Sequence, residues 1–305
     1  MKVLVATEKP FASAAVEGIR AVLDKAGYEL SLLEGYTEKK ELLSAVKDAD
    51  ALIVRSDKVD DEVVKAADKL KIVVRAGAGY DNINLEACNA GNIVAMNTPG
   101  QNSNAVAELA FGMMVYLARG GYNGKPGTEL RGKTLGIHAY GNVGKYVARI
   151  AKGFGMEIFA FDPFVNPEDI EKEGVKAVNT VDDLYSKCQY VSLHIPANNE
   201  TRGSIGLKLL KLMPKNAVLV NTARKEVMNE DELMKVFSER DDFSYISDIA
   251  PDCSADIEEN YKGRFFFTPK KMGAQTAEAN INAGLAAANQ IVAFLERGDE
   301  TFRVN

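Results

Sequence analysis

The sequence predicts an α/β fold made of two doubly wound parallel-sheet domains. Three observations carry that expectation. Short β-prone runs alternate with helical stretches along the whole chain, with short connections between them. One stretch, GKTLGIHAYGNVGKYVARIAKGFGMEIFAFD at 132–162, reads as strand, tight turn, helix, second strand and terminal acid. Polar residues recur at the carboxyl ends of the strands, the rim where parallel sheets bind ligands.

Bulk properties narrow the class. A chain of 305 residues suits one large or two medium domains, each able to bury a core. The net charge of −6 argues against a nucleic-acid partner. The opening MKVLVATEKP is too short in apolar length for a signal peptide. The most apolar helix, 109–118, is too short to span a bilayer and has Glu108 at its head. A soluble cytoplasmic protein with no membrane partner is therefore expected. Cys88, Cys188 and Cys253 are odd in number and share no ligand spacing, which suits a reducing compartment and no metal.

Taken in order, 3–6 reads as a strand and 12–25 as a helix ending at Gly27. Helices are expected at 39–46 and 61–69, and strands at 51–54, 72–74 and 93–96. Arg55-Ser56 follows one strand, and RAGAGYD at 75–81 follows the next. That glycine-rich run is either an anion-binding nest of backbone N–H groups or a plain turn with a surface arginine. Asn97-Thr98-Pro99-Gly100 breaks the pattern and marks a hinge. The helix at 104–119 is apolar nearly all round and needs burial on several sides, in a core, between domains or in a subunit contact.

Within 132–162, residues 133–137 form the strand and 157–161 the next one, with a helix from 146 to 154. The turn Ala139-Tyr140-Gly141-Asn142-Val143-Gly144 matches the dinucleotide fingerprint, with Ala139 replacing its first glycine. Gly141 lets backbone approach a pyrophosphate, and Gly144 lets helix pack on strand. The helix N-terminus offers free N–H groups to the phosphates. Asp162 falls where a ribose 2′-OH would be. No Arg or Lys lies in 163–166 to take a 2′-phosphate, so the expected cofactor is NAD in a Rossmann-type domain. Beyond it, a helix at 181–186 precedes the strand 190–193, which ends in His194-Ile195-Pro196. The strand 217–220 ends in Asn221-Thr222-Ala223-Arg224, and a helix at 230–237 follows. Strand 243–247 ends in Asp248 and strand 265–267 in Thr268-Pro269-Lys270. A long helix, 274–297, is expected to return to the first domain. The domains are thus 1–97 plus 278–305 for substrate and 98–277 for NAD, with the active-site cleft between them.

At these strand ends the chain resembles the D-2-hydroxyacid dehydrogenases, most closely those members that oxidise 3-phosphoglycerate in serine biosynthesis. VRS at 54–56, RAGAGYDNINLEA at 75–87, NTPGQNSNAVAEL at 97–109, ELRGKTLGI at 129–137, GMEIFAFDP at 155–163, HIP at 194–196 and NTAR at 221–224 follow the family's order. The resemblance implies that Tyr140, Gly141, Asn142, Val143 and Gly144 cradle the pyrophosphate and that Asp162 holds the adenosine ribose. It implies that His194, Ile195, Pro196, Thr201, Thr222, Ala223, Asp248, Gly273 and Ala274 line the rest of the cofactor. Arg224 would be the catalytic arginine, its planar fork fitting the substrate carboxylate. The amides of Ala76 and Gly77 would also bind that carboxylate, and Arg55, Ser56 and Asn102 the distal phosphate. With the apolar helix at 104–119 as a subunit contact, a homodimer is expected.

Two departures from the family stand out. Lys270 occupies the place after Thr-Pro where a histidine is usual, and Cys253 the place of a glutamate, with Asp252 beside it. A histidine needs an acid to hold its proton and tautomer. A lysine is protonated at pH 7 unaided and has no tautomers. Lys270 is therefore expected to be the acid/base, with Lys271 a competitor; the acid is then either dispensable or replaced by Asp252. Of the two histidines, His138 is expected to be packed in its strand and His194 to be a cofactor wall. Substrate oxidation is expected to run faster at alkaline pH. The chain stops at Asn305, so feedback inhibition by serine through an appended domain is not expected. Rival readings are a glyoxylate or hydroxypyruvate reductase, and a catalytically silent NAD-sensing binding protein.

Overall fold

The computed structural model describes residues 1–305, which divide into two units. Residues 1–102 and 275–305 form one, and 103–274 the other. In the first unit, strands β1 (Lys2–Thr7), β2 (Glu29–Glu34), β3 (Ala51–Val54), β4 (Ile72–Arg75) and β5 (Val94–Asn97) alternate with helices α1 (Ser13–Lys25), α2 (Lys39–Ala45), α3 (Asp61–Ala66) and α4 (Leu85–Ala90). The strands pair in parallel in the order β2-β1-β3-β4-β5.

The second unit opens with α5 (Ser103–Ala118), β6 (Thr134–His138), α6 (Asn142–Gly153) and β7 (Glu157–Phe161). It continues through α7 (Pro167–Lys172), β8 (Lys176–Ala177), α8 (Val181–Lys187), β9 (Tyr190–Leu193), α9 (Leu207–Leu212) and β10 (Val218–Asn221). It closes with α10 (Glu230–Glu239), β11 (Ser244–Ser247), α11 (Ser254–Asn260) and β12 (Phe265–Phe267). Its sheet is also all parallel, ordered β12-β11-β10-β9-β6-β7-β8. The final helix, α12 (Ala277–Arg297), belongs to the first unit.

Strands covered on both faces must be apolar on both, and these are. Val3, Val5, Ile53 and Val74 face α1 and α12, while their neighbours Leu4, Ala6, Leu52, Val54 and Val73 face the side of α2, α3 and α4. In the second unit, Leu135, Ile137, Val218 and Val220 pack against α5 and α6, and Val191, Leu193 and Leu219 against α8 and α10. Core packing accounts for the apolar helix α5. It buries Ala107, Ala110, Phe111, Met113 and Met114 in its own unit, and Leu109, Val115 and Leu117 pack against the same cluster.

Several elements differ from expectation. Helix α6 begins at Asn142, inside the turn, because Gly141 takes the extended N-cap conformation. Helix α12 begins at Ala277, where the Thr276 hydroxyl accepts from the Ala279 amide. The strands β2 and β8 and the helices α4, α7, α9 and α11 were not expected. Each is seven residues or fewer, too short for periodicity to announce it.

Both sheets reverse winding direction once. In the first unit the reversal lies between β1 and β3, and in the second between β6 and β9. Ligands of such sheets bind outside the strand carboxyl ends at that point. Along the outer edge of β5 runs the end of the chain. The Val304 amide donates to the Ala95 carbonyl at 2.9 Å, and the Ala95 amide to the Asn305 side chain at 2.8 Å.

Candidate active site

The reversal between β6 and β9 places the turn 139–144 beside His194. Ala139 holds φ +79°, the left-handed conformation that glycine favours, and its amide donates to Phe161 O at 2.9 Å. A Cβ on Gly144 would lie 2.4 Å from the Ala139 carbonyl, so only glycine lets α6 pack this closely on β6. No side chain caps α6, Gly141 and Asn142 are exposed, and a Cβ on Gly141 would meet nothing within 4 Å. The first-turn N–H groups therefore face open space, as a pyrophosphate requires. Asp162, half-buried, accepts from the amides of Tyr140 (2.7 Å) and Phe164 (2.8 Å), and its remaining lone pairs can take ribose hydroxyls. These residues fit a dinucleotide.

Tyr140, expected at the cofactor, turns its side chain inward. Its side chain is fully buried, its hydroxyl donates to Glu173 at 3.0 Å, and its amide is spent on Asp162. It braces the turn from within.

His194 Nε2 lies 2.9 Å from Ser192 Oγ and Nδ1 3.4 Å from Thr222 Oγ1. Burial, and next the neighbouring His138, drive its pKa down to about 3. Burial likewise lowers His138 to about 4, with Tyr185 OH 3.3 Å from its Nδ1. Both rings are therefore neutral at pH 7, each keeping one ring N–H for hydrogen bonding, so they can form walls but are not imidazolium acids. Ile195 is buried and Pro196 exposed at the strand end. The Thr201 hydroxyl closes the turn after them, donating to the Pro196 carbonyl at 2.5 Å and accepting from the Asn198 amide at 2.9 Å.

At the end of β10, Asn221 was missed as a functional residue. Its side-chain amide donates to the Arg224 carbonyl (3.0 Å) and to Tyr245 OH (3.1 Å), and its oxygen accepts from the Ala223 amide (3.0 Å). It locks the strand end that carries Arg224. The Arg224 side chain is exposed, and one guanidinium nitrogen donates to the Ala223 carbonyl at 3.1 Å. It forms no ion pair, which leaves most of its fork for a ligand carboxylate.

Asp248 is almost wholly buried and accepts three hydrogen bonds. Oδ1 accepts from Thr268 Oγ1 (2.9 Å) and the Met272 amide (2.7 Å), and Oδ2 from the Gly273 amide (2.8 Å). A Cβ on Gly273 would sit 2.9 Å from that oxygen, hence a glycine; Ala274 beside it is half-buried. Asp248 thus shapes the loop 268–273 that bears both candidate lysines. Beyond it, Ile249 has φ +133°, a strained conformation for a β-branched residue.

In that loop the two lysines stand differently. Lys270 is exposed and makes no hydrogen bond or ion pair, whereas Lys271 Nζ donates to the Ala223 carbonyl at 2.8 Å. Asp252 is no partner to either. It is exposed and pairs with Lys225 at 2.5 Å, while Glu230 accepts from the amides of Asp252 and Cys253. Two residues in sequence from a strand end do not reveal which way a side chain turns.

The first unit has its own rim. Arg55 follows β3 at the winding reversal, with Nη1 donating to the carbonyls of Lys9 (3.0 Å) and Pro10 (3.2 Å) and Nη2 to Asn280 (2.6 Å). The Phe11 ring lies under its guanidinium, 5.0 Å from the centroid. Nε and one Nη2 hydrogen remain for a ligand. Ser56 is exposed, and Asn102 is half-buried with no hydrogen bond. The expected carboxylate amides are already used: Ala76 N donates to Val54 O and Gly77 N to Arg75 O, both at 2.8 Å. The amides that follow, of Ala78, Gly79, Tyr80 and Asp81, make no hydrogen bond within the protein. Arg75 crosses the loop, its Nε donating to Arg55 O at 3.0 Å, where a Cβ on Gly77 would collide with its guanidinium.

Residues 104–259 match the family model described as D-isomer specific 2-hydroxyacid dehydrogenase, NAD binding domain. The chain belongs to this family. The D-isomer-specific 2-hydroxyacid dehydrogenases similar to it include D-3-phosphoglycerate dehydrogenase of Methanocaldococcus jannaschii, 37% identical over 88% of this chain and 54% of the relative. Glyoxylate reductase of Thermococcus litoralis is 34% identical over 83% of this chain and 82% of the relative. Among solved structures, NAD+-bound 3-phosphoglycerate dehydrogenase of Entamoeba histolytica matches with a TM-score of 0.87 and 51% identity, over 100% of this chain and 98% of that one. The chain spans little more than half the length of the first curated relatives, 54% and 57%.

Proposed function

We propose that the protein oxidises 3-phosphoglycerate to 3-phosphohydroxypyruvate with NAD, the opening step of phosphorylated serine biosynthesis. The observation that carries the reading is the pair of cations at the end of β10, Arg224 and Lys271 on one carbonyl. A carboxylate-binding fork beside a proton carrier is what a 2-hydroxy acid dehydrogenase needs. NAD, held by the first turn of α6 and by Asp162, would supply the hydride acceptor. Arg224 binds the substrate carboxylate and polarises the C2 oxygen. Lys271, in place of the expected Lys270, takes the hydroxyl proton during oxidation and returns it during reduction. His194 stays neutral and gives the cofactor an uncharged wall. Asp248 acts at one remove, by fixing the loop that presents the lysine.

On the other unit, Arg55 meets the distal phosphate through its unused hydrogens, with Ser56 and Asn102, and the open Ala78 and Gly79 amides take over the role expected of Ala76 and Gly77. A second reading, reduction of glyoxylate or hydroxypyruvate, draws on the engaged state of Arg55, which has three donors committed within the protein. Comparing kcat/KM for 3-phosphoglycerate and glycerate, followed by NADH absorbance, separates the two. The proposal expects the phosphorylated substrate to win by at least tenfold and that margin to vanish in Arg55→Ala. Equal turnover of the two acids would favour the second reading. No NADH from either would leave a binding protein.

A further inference from the structure

Phe164 is 90% exposed, the most exposed large apolar side chain in the molecule. Folding does not use its ring, which stacks on no other aromatic group. Nor does it belong to an apolar patch of the kind that docks a protein, since Pro163 and Asn166 around it are exposed and small or polar. Its backbone, by contrast, is held. The Phe164 amide donates to Asp162 Oδ1 at 2.8 Å, Pro163 between them has a fixed φ, and Asn166 caps α7 two residues later. A free phenyl ring is therefore carried on a fixed stem directly beside the carboxylate that suits ribose hydroxyls.

In an adenosine, the base is joined to the ribose carbon next to the one bearing the 2′-hydroxyl. A ribose held by Asp162 consequently puts a flat, uncharged heterocycle within one side chain's reach of Phe164. Stacking would cover both apolar faces and needs no hydrogen-bond partner. We propose that Phe164 is the adenine platform of the cofactor site and a determinant of its affinity for adenine dinucleotides. The inference rests on the NAD reading above.

The chain contains no tryptophan, so Phe164→Trp creates a single indole reporter at the site. Titration with AMP and with NAD should quench it saturably, while nicotinamide mononucleotide, which lacks the base, should leave it unchanged. By calorimetry, Phe164→Ala should bind NAD about tenfold more weakly, ~1.4 kcal/mol, and Phe164→Tyr should bind it as the wild type does. An unresponsive indole with NAD bound, or a Phe164→Ala affinity within twofold of wild type, overturns the platform while leaving the NAD reading intact. A wild-type chain that binds no NAD by calorimetry overturns both, and that control does not depend on any variant. Because the side chain is solvent-exposed, all three variants should keep the wild-type melting temperature.

Discussion

Arg224 and Lys271 donate to the same acceptor: the Ala223 carbonyl oxygen lies 3.1 Å from a guanidinium nitrogen and 2.8 Å from the ammonium. The two cations cannot be further apart than those distances laid end to end. Two positive groups so close are tolerated because both are exposed to solvent. Ala223 itself is held by Asn221, so the pair is anchored to β10.

The first prediction separates the neighbouring lysines. Lys271→Ala should lower kcat for 3-phosphoglycerate by about 10²–10⁴, the usual range for loss of a general acid or base. Lys270→Ala should change it no more than a few-fold, and Asp252→Asn should be close to silent because its partner is the surface Lys225. Steady-state NADH production measures all three. If Lys270→Ala proved the damaging change, the loop geometry would not be the one used in turnover. With an amine as base, wild-type oxidation should rise through alkaline pH, and Lys271→Ala should flatten that rise.

A second prediction concerns acid stability. His138 and His194 have folded pKa values of about 4 and about 3, below the ordinary value near 6.5. The unfolded chain therefore binds more protons than the folded one between those limits. Their contribution is intact above pH 6.5 and is lost as pH falls through the folded values. At pH 5 each histidine should cost on the order of 2 kcal/mol relative to pH 8. Urea titrations at the two pH values check this, and His138→Phe should narrow the gap. A gap of equal size in that variant would remove His138 from the account.

Ala139 provides the third. Its φ of +79° suits glycine, so Ala139→Gly relieves a strain of about 1–2 kcal/mol and forfeits about 0.4–1 kcal/mol through the freer unfolded chain. The melting temperature should stay level or rise, with NAD affinity retained. Ala139→Val, β-branched in the same conformation, should be destabilised by more than 1 kcal/mol. Thermal melts and NAD calorimetry on the two variants test the pair.

What could be read in advance followed from local rules. The fingerprint, Asp162 and the strand-end motifs announce themselves because chain geometry ties such residues to a strand and the turn after it. Hydrogen-bond partners brought together from distant segments do not. Whether Ala76 and Gly77 keep their amides free depends on Val54 and Arg75. Whether Lys270 or Lys271 faces Arg224 depends on two loop amides closing on Asp248. The same holds for Asn221, whose side chain is defined by Tyr245 and by residues on either side of it. An N-cap asparagine and a proline did mark α7, a signal present at 166–167 but masked by the shortness of the helix.

The segment ending in Asn305 occupies the hydrogen-bonding groups of Ala95 that would otherwise point outward. An uncovered margin of this kind is a template on which a second molecule can add its own strand. Clipping the last three residues should therefore expose the protein to edge-to-edge self-association, and the first sign would be slow growth of light scattering in a sample that still absorbs and melts as a folded protein.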